Sequence, residues 1–223
     1  MQGQGGYVAG MLSCARSWVL ATALLAPAAV AAHPHVFVDT GLRVQIDDQG
    51  RITGVEVSWT YDALYSMLTF EDMGLDGDFD GRLNEGELGF LNGFDLNWVD
   101  GFEGDLYLEI GGQPVALGPP EGRGVQVEDA QIVSAHFRPV LNPVTADGVV
   151  VRAYDPTFYT AYDLTRGVVV DGGCAAQITP ADLDAAYTLV EESLYAVPAD
   201  QAEDAFPLVG KAFADTVTLS CTG

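Results

Sequence analysis

The sequence predicts an α+β fold, an antiparallel β-sheet domain with an inserted helix–loop–helix segment and a C-terminal helix. Three observations favour this fold class. Apolar residues alternate with polar ones on both sides of a turn at residues 47–50, which is typical of a β-hairpin. The apolar period becomes helical around an acidic loop at 76–87. Strand-like alternation returns at Asp105 and gives way to a final helical pattern after Thr179.

The strands follow from alternation and from turn residues. The first hairpin pairs 36–46, with a break expected near Gly41, with 52–59. A strand at 106–110 ends in a Gly-Gly turn. Two long strands are then expected at 125–140 and 149–164, and a last one at 216–221.

Three helices are predicted from spacing and capping signals. One covers 61–73 and enters the acidic loop, and one covers 85–99 and leaves it. The second contains three glycines, so we expect tertiary packing to stabilise it. The third begins with Thr179 as its cap, Pro180 in its first turn and Asp182 at the positive end of the dipole. Pro198 ends it.

The acidic loop from Asp76 to Glu87 matches the twelve-residue EF-hand template. Gly81 allows the sharp turn around the ion, and Leu83 is the inward-pointing apolar residue of the loop. The template predicts six calcium ligands, with Arg82 contributing its carbonyl and Asn84 acting through water: Asp76, Asp78, Asp80, Arg82, Asn84 and Glu87. A surface turn rich in Asp and Gly is the structural alternative. Since no second loop follows, we expect a structural role for calcium, with a dissociation constant of about 10⁻⁵–10⁻³ M.

Residues 1–32 have the features of a signal peptide. Arg16 precedes an apolar run at 18–30 that is too short for a membrane span, and small residues follow it. Cleavage after Ala32, or one residue earlier, would give a periplasmic protein. Residues 33–223 would then form one domain with the EF-hand insertion at about 62–99, and no further stretch is long enough to cross a membrane.

Charge and cysteine content narrow the function classes. The formal net charge is −23, which disfavours binding to nucleic acid or to anionic membranes. The acidity fits either solubility or the collection of cations. Cys14 would leave with the signal peptide, so Cys174 and Cys221 remain and are expected to form a disulfide in an oxidising compartment. A two-cysteine metal site is the alternative.

Histidines form a second candidate site. The mature chain would begin with His33-Pro34-His35, and His136 lies within a predicted strand. A terminal His33 offers an amine and a ring nitrogen, as in the histidine brace that holds copper, and imidazole also suits nickel, cobalt and zinc. Oxygen ligands could come from Asp39 or Asp155. In the alternative interpretation these histidines have ordinary structural roles.

Several motifs together resemble a bacterial family of unknown function whose members are labelled as the periplasmic component of an uncharacterised ABC-type transport system. The motifs are the His-Pro-His-Val-Phe-Val-Asp start at His33, the Trp59-x-Tyr61-Asp62 segment, the acidic loop and Tyr-Asp-Pro-Thr-Phe-Tyr at 154–159. The resemblance implies a role in metal handling beside nickel, cobalt or zinc transporters. It also implies His33, His35 and Asp39 as metal ligands, with Asp155 a weaker candidate.

These observations lead to three hypotheses. The first is a non-enzymatic, calcium-binding periplasmic accessory that binds Ni²⁺, Co²⁺, Zn²⁺ or Cu²⁺ and assists a membrane metal transporter. The second is a calcium-stabilised interaction module without a transition-metal role. The third is a copper redox protein with a histidine brace. No nucleophile–base arrangement indicates hydrolytic or thiol catalysis.

Overall fold

The computed structural model describes residues 34–195 and 207–222, so the predicted signal peptide and His33 lie outside the described residues. The strands are β1 Val36–Ile46, β2 Arg51–Tyr61, β3 Leu106–Ile110, β4 Gln113–Pro114, β5 Glu121–Glu128, β6 Gln131–Thr145, β7 Val149–Ala153, β8 Thr160–Asp163, β9 Val168–Val170, β10 Cys174–Thr179 and β11 Thr216–Cys221. The helices are α1 Ala63–Met73, α2 Glu85–Leu91, α3 Leu183–Tyr195 and α4 Gly210–Phe213, with a 3₁₀ turn at Leu164–Arg166. No helix within the described ranges has the length and apolar character needed to cross a membrane.

The strands form two sheets. The larger has the order β5-β6-β2-β1-β8, with β9 also paired to β1, and the smaller has the order β10-β11-β7-β3-β4. Most pairings are antiparallel, but β1 runs parallel to both β8 and β9. The structure therefore confirms mixed α and β content with antiparallel sheets, and it adds a parallel edge that the sequence analysis did not predict.

One hydrophobic core is shared by residues of both sheets. Alternate residues of β1 and β2, including Val44 and Val55, are fully buried in it, and the smaller sheet contributes Val149, Val151 and Val217. Because successive side chains of a strand point to opposite faces, this alternation gives each sheet one apolar face. The helix–loop–helix segment follows β2 and contributes Phe70, Leu75 and Leu91 to this core.

Two long strands of the sequence prediction are wrong in their extent. The predicted strand at 125–140 is the hairpin of β5 and β6, whose turn residues Asp129 and Ala130 both have positive φ. The predicted strand at 149–164 is interrupted by the turn at 154–159 between β7 and β8. Strands β9 and β10 were not predicted.

The predicted helix limits also shift, for local reasons. Tyr61 continues β2, so α1 starts later and Asp62 caps it by accepting from the Tyr65 amide. Helix α2 ends at Leu91 instead of 99, and Gly93 follows with a φ of 80°. Helix α3 starts at Leu183, because the predicted cap residue is the end of β10.

Gly41 does not break β1. It lies inside the strand, paired with Ser58 of β2. A Cβ at this position would be 2.6 Å from the Ser58 hydroxyl and 3.2 Å from the Arg166 Cβ. The glycine thus allows the Arg166 side chain to cross the outer face of the larger sheet, where it donates to the Thr60 hydroxyl.

The disulfide between Cys174 and Cys221 is formed, as predicted. The two cysteines are register partners of β10 and β11, at the edge of the smaller sheet. The bond therefore fixes the last strand to a segment 47 residues earlier in the chain.

Candidate functional site: the acidic loop and the N-terminal histidine

Both helices beside the acidic loop have defined ends. Helix α1 stops at Gly74, a left-handed C-cap with a φ of 67°. Helix α2 begins with a capping box, in which the Asn84 side chain accepts from the Gly86 and Glu87 amides and the Glu87 carboxylate accepts from the Asn84 amide. These caps fix where the helices end and leave residues 76–84 to form a loop between them.

Three carboxylates converge within this loop. Oxygen atoms of Asp76, Asp78 and Asp80 all lie within 4.8 Å of one another. Asp76 is buried and accepts hydrogen bonds from the Asp80 amide at 3.0 Å and the Gly81 amide at 3.1 Å. Because a carboxylate oxygen has two lone pairs, these bonds leave capacity for a cation.

Glu87 closes the loop. Its Oε1 accepts from the Asp76 amide at 3.2 Å, and its Oε2 accepts from the Asn84 amide at 2.9 Å. The twelfth residue of the loop is thereby held against the first. The clustered oxygens of the three aspartates, with those of Glu87 at the end of the loop, are hard donors of the kind that calcium prefers.

The loop is braced by the rest of the domain. An added Cβ on Gly81 would lie 2.8 Å from the Ala130 Cβ in the β5–β6 turn, so the loop is in direct contact with that turn. Leu83 packs against the hydrophobic core. These two contacts join the loop to the rest of the domain.

Of the predicted calcium ligands, Asp76, Asp78, Asp80 and Glu87 are placed as just described. Asn84 has a clear structural role as the cap of α2. The Arg82 amide donates to Asp80 at 2.8 Å, which tightens the same turn. The calcium-ligand roles of all six residues stay predictions.

The transition-metal ligand set is only partly assembled among the described residues. His35 lies against the ring of Tyr159, with ring centroids 4.7 Å apart, and its amide donates to the Tyr159 carbonyl at 2.8 Å. The N-terminal motif and the 154–159 motif therefore meet in space. His33, which would complete a terminal chelate, lies outside the described residues.

Asp155 is near this point but has an evident structural role. Its carboxylate accepts from the amide and hydroxyl of Thr157 and from the Thr160 amide. Thr160 is the register partner of Val36, next to His35. Asp155 thus closes the turn that supports His35.

Asp39 and His136 are placed elsewhere. The Asp39 carboxylate accepts a hydrogen bond from the Thr165 hydroxyl. Asp39 is four residues from His35, which corresponds to about 13 Å along an extended strand. His136 of β6 and Leu42 of β1 both pair with Val57 of the intervening strand β2. His136 therefore lies about 23 Å from His35 along the strand direction. Its side chain is fully buried on the core face. His35 and His136, the two alternatives for an added nitrogen ligand, are therefore far apart. The chelate at His33 itself stays a prediction, because His33 lies outside the described residues.

The His136 ring contacts two tryptophan rings. Its ring centroid is 4.6 Å from Trp59 and 5.7 Å from Trp98, and neither ring nitrogen has a hydrogen-bond partner within the part of the chain that is described. Burial, and secondarily the charge of Arg138, lower the pKa of His136 to about 4. The ring is consequently neutral at physiological pH.

Sequence reasoning missed three buried or bridging carboxylates. Asp62 accepts from the Phe37 amide and joins β1 to α1, and its place before a helix was a signal for a cap. Asp95 accepts from the Tyr61 hydroxyl at 2.9 Å and from Ser134. Asp105 accepts from the Tyr162 hydroxyl at 2.9 Å, and burial raises its pKa to about 7. Nothing local in the sequence distinguishes the last two.

Residues 18–221 match a family model described as "Protein of unknown function (DUF1007)". No curated protein matches the chain.

Proposed function

The chain belongs to the DUF1007 family, and we propose that it is an exported calcium-binding accessory of a membrane transporter for divalent transition metals. The observation that carries the calcium part is the closure of the acidic loop, in which Glu87 accepts from the Asp76 amide beside three converging carboxylates. Export is supported by the signal-peptide features of residues 1–32.

Calcium has a structural task in this proposal. Carboxylates within 4.8 Å of one another repel, and a divalent cation converts that repulsion into a shared attraction. The ion would join the C-terminal end of α1 to the N-terminal end of α2. A calcium concentration a hundred times the dissociation constant adds about 2.7 kcal/mol to the free energy of unfolding.

Urea unfolding at increasing calcium concentration tests this part. The wild-type midpoint should rise with calcium, and Glu87→Gln should abolish the rise. Glu85→Gln is the matched control, since Glu85 is an exposed acid of the same first turn of α2 and should keep the rise. A wild-type midpoint that does not change up to 10 mM calcium, with magnesium as the comparison ion, would refute calcium binding.

The transition-metal part rests on His35 together with His33. Its support is the family resemblance and the convergence of the two motifs at the contact between His35 and Tyr159. Pro34 has no amide hydrogen, so a chelate would use the terminal amine and imidazole nitrogens.

Isothermal titration with Ni²⁺, Co²⁺, Zn²⁺ and Cu²⁺ tests it, on protein exported by an expressing bacterium from the full chain. Mass spectrometry first establishes whether His33 is terminal. Binding should be lost in His35→Ala and kept in His136→Leu, because His136 is enclosed in the core. If none of the four ions binds, the transition-metal role fails.

The calcium-stabilised interaction module is the second candidate. It is favoured by one observation, the apolar surface that α1 presents to solvent. It predicts that His35→Ala leaves every function of the protein unchanged.

A further inference from the structure

Helix α1 is apolar on its solvent-facing side. It buries Ser66 and Phe70, whereas Leu64, Met67 and Leu68 are exposed, with Met67 at 53%. A surface helix ordinarily turns its apolar stripe toward the core and its polar residues toward water. Contiguous exposed apolar residues of this kind mark interaction sites.

A groove of about 440 Å³ lies between this face and the acidic loop. Its lining is largely apolar and includes Met67, Phe70, Leu75, Phe79 and Ala130. Phe79, at the tip of the loop, is 87% exposed and has a φ of 56°, a conformation that bulky side chains avoid. An exposed aromatic held in such a conformation points to a binding role.

The charge around the groove selects the occupant. Residues 63–81 contain five carboxylates and no lysine or arginine. Three of the five are the proposed calcium ligands, so the charge left for a partner is that of Asp72 and of Glu71, which lines the groove itself. The whole chain carries a net charge of −23, so a second copy and an anionic lipid surface are both repelled. A complementary ligand combines apolar anchors with positive charge.

We propose that this groove receives the apolar face of a cationic amphipathic helix from a partner protein. The anchors, spaced at i, i+3, i+4 and i+7, would lie against Met67 and Phe79, and flanking lysines or arginines would face Glu71 and Asp72. The inference rests on the proposed function, because calcium in the loop would hold Phe79 and α1 on the two sides of the groove.

The probe is a fluorescein-labelled synthetic peptide of leucine and lysine with this helical spacing, measured by anisotropy at 150 mM NaCl with 5 mM calcium. A scrambled peptide of the same composition controls for non-specific attraction by charge. Wild-type protein should bind the amphipathic peptide about tenfold more tightly than the scrambled one, since only the former presents its apolar residues on one face.

Two uncharged substitutions at lining residues test the groove, namely Met67→Gln and Phe79→Asn. Asparagine tolerates a positive φ, so the last variant removes the ring without adding strain. Each should weaken binding about fivefold to tenfold, while Leu141→Gln, at an exposed apolar position of β6, should not. Unchanged urea midpoints would show that the variants are folded.

Equal binding of the two peptides, or equal loss in the Leu141 control, would overturn the proposal. So would self-association of the wild type that Met67→Gln relieves, because the occupant would then be a second copy. If the calcium-dependent midpoint shift is absent but the groove variants still lose peptide, calcium binding fails and the docking site stands. If the calcium-dependent midpoint shift is present and the variants bind the peptide normally, calcium binding stands and the docking site fails.

Discussion

At pH 5 the folded protein should be less stable than at neutral pH because of His136, and the substitution His136→Leu should remove that loss. The imidazole is fully buried between Trp59 and Trp98, and neither nitrogen has a hydrogen-bond partner in the described part of the chain. A protonated ring there would be a buried, unpaired charge. Folding therefore favours the neutral form.

The magnitude follows from the pKa values. Burial lowers the pKa of His136 from 6.5 to about 4. A base with a depressed pKa contributes stability that is complete above pH 6.5 and is lost as the pH falls toward 4. A difference of about 2.5 in pKa corresponds to about 3 kcal/mol when fully developed, and to about 2 kcal/mol at pH 5.

The assay is urea unfolding of wild type and His136→Leu at pH 7.5, 6.5, 5.5 and 5.0, in constant calcium. Subtracting one free energy of unfolding from the other cancels the groups that both proteins share. The wild type should lose about 2 kcal/mol relative to the variant between pH 7.5 and 5.0. A difference that stays constant within about 0.5 kcal/mol would show that the ring is solvated or hydrogen-bonded, and would refute the reasoning.

Three further predictions concern stability. Burial raises the pKa of Asp105 to about 7, so its contribution to the free energy of unfolding is present in acid and is lost as the pH rises. Relative to Asp105→Asn, the wild type should lose about 3 kcal/mol of unfolding free energy between pH 4 and 7, measured by urea unfolding. Gly210→Ala would place a Cβ 1.7 Å from the Asp155 carbonyl oxygen and should lower the free energy of unfolding by about 1–3 kcal/mol, measured by thermal melts. Gly89→Ala is its control, because a Cβ there meets open space in α2, and it should be neutral or stabilising in the same assay. Cys174→Ser should cost about 4 kcal/mol under oxidising conditions, given the separation of 47 residues, and equal midpoints for wild type and variant without reductant would contradict this estimate.

Local patterns in the sequence predicted the elements that depend on local chemistry. The first hairpin follows from alternation, α3 and the last strand follow from their periods, and the disulfide follows from the two cysteines of residues 33–223. The convergence of Asp76, Asp78 and Asp80 follows from spacing in a loop with one sharp turn.

The β5–β6 turn shows what was overlooked. Apolar residues occupy odd positions on both sides of the turn, at Val125 and Val127 before it and at Val133 and Phe137 after it, so the alternation reads through the turn without a break. The structure instead buries the even-numbered positions of β6, which include the polar residues Ser134, His136 and Arg138. The turn residues Asp129 and Ala130 include no glycine or proline, so the usual punctuation was missing.

Other features depend on contacts between distant segments. The parallel pairing of β1 with β8 and β9 joins residues more than 120 apart in the chain, and no local pattern encodes it. The surroundings of His136 are likewise not encoded locally. Strand register places it beside Trp59, and a segment distant in the chain brings Trp98 to it. A histidine in a predicted strand, taken by itself, suggested only that His136 could be a metal ligand.

The central claim is that the loop from Asp76 to Glu87 holds one calcium ion. A crystal structure of protein grown in millimolar calcium tests it most directly. We expect a single ion inside the loop, with carboxylate oxygens of Asp76, Asp78, Asp80 and Glu87 at about 2.3–2.6 Å from it. An ordered loop without an ion, with these carboxylates turned to solvent, would contradict it.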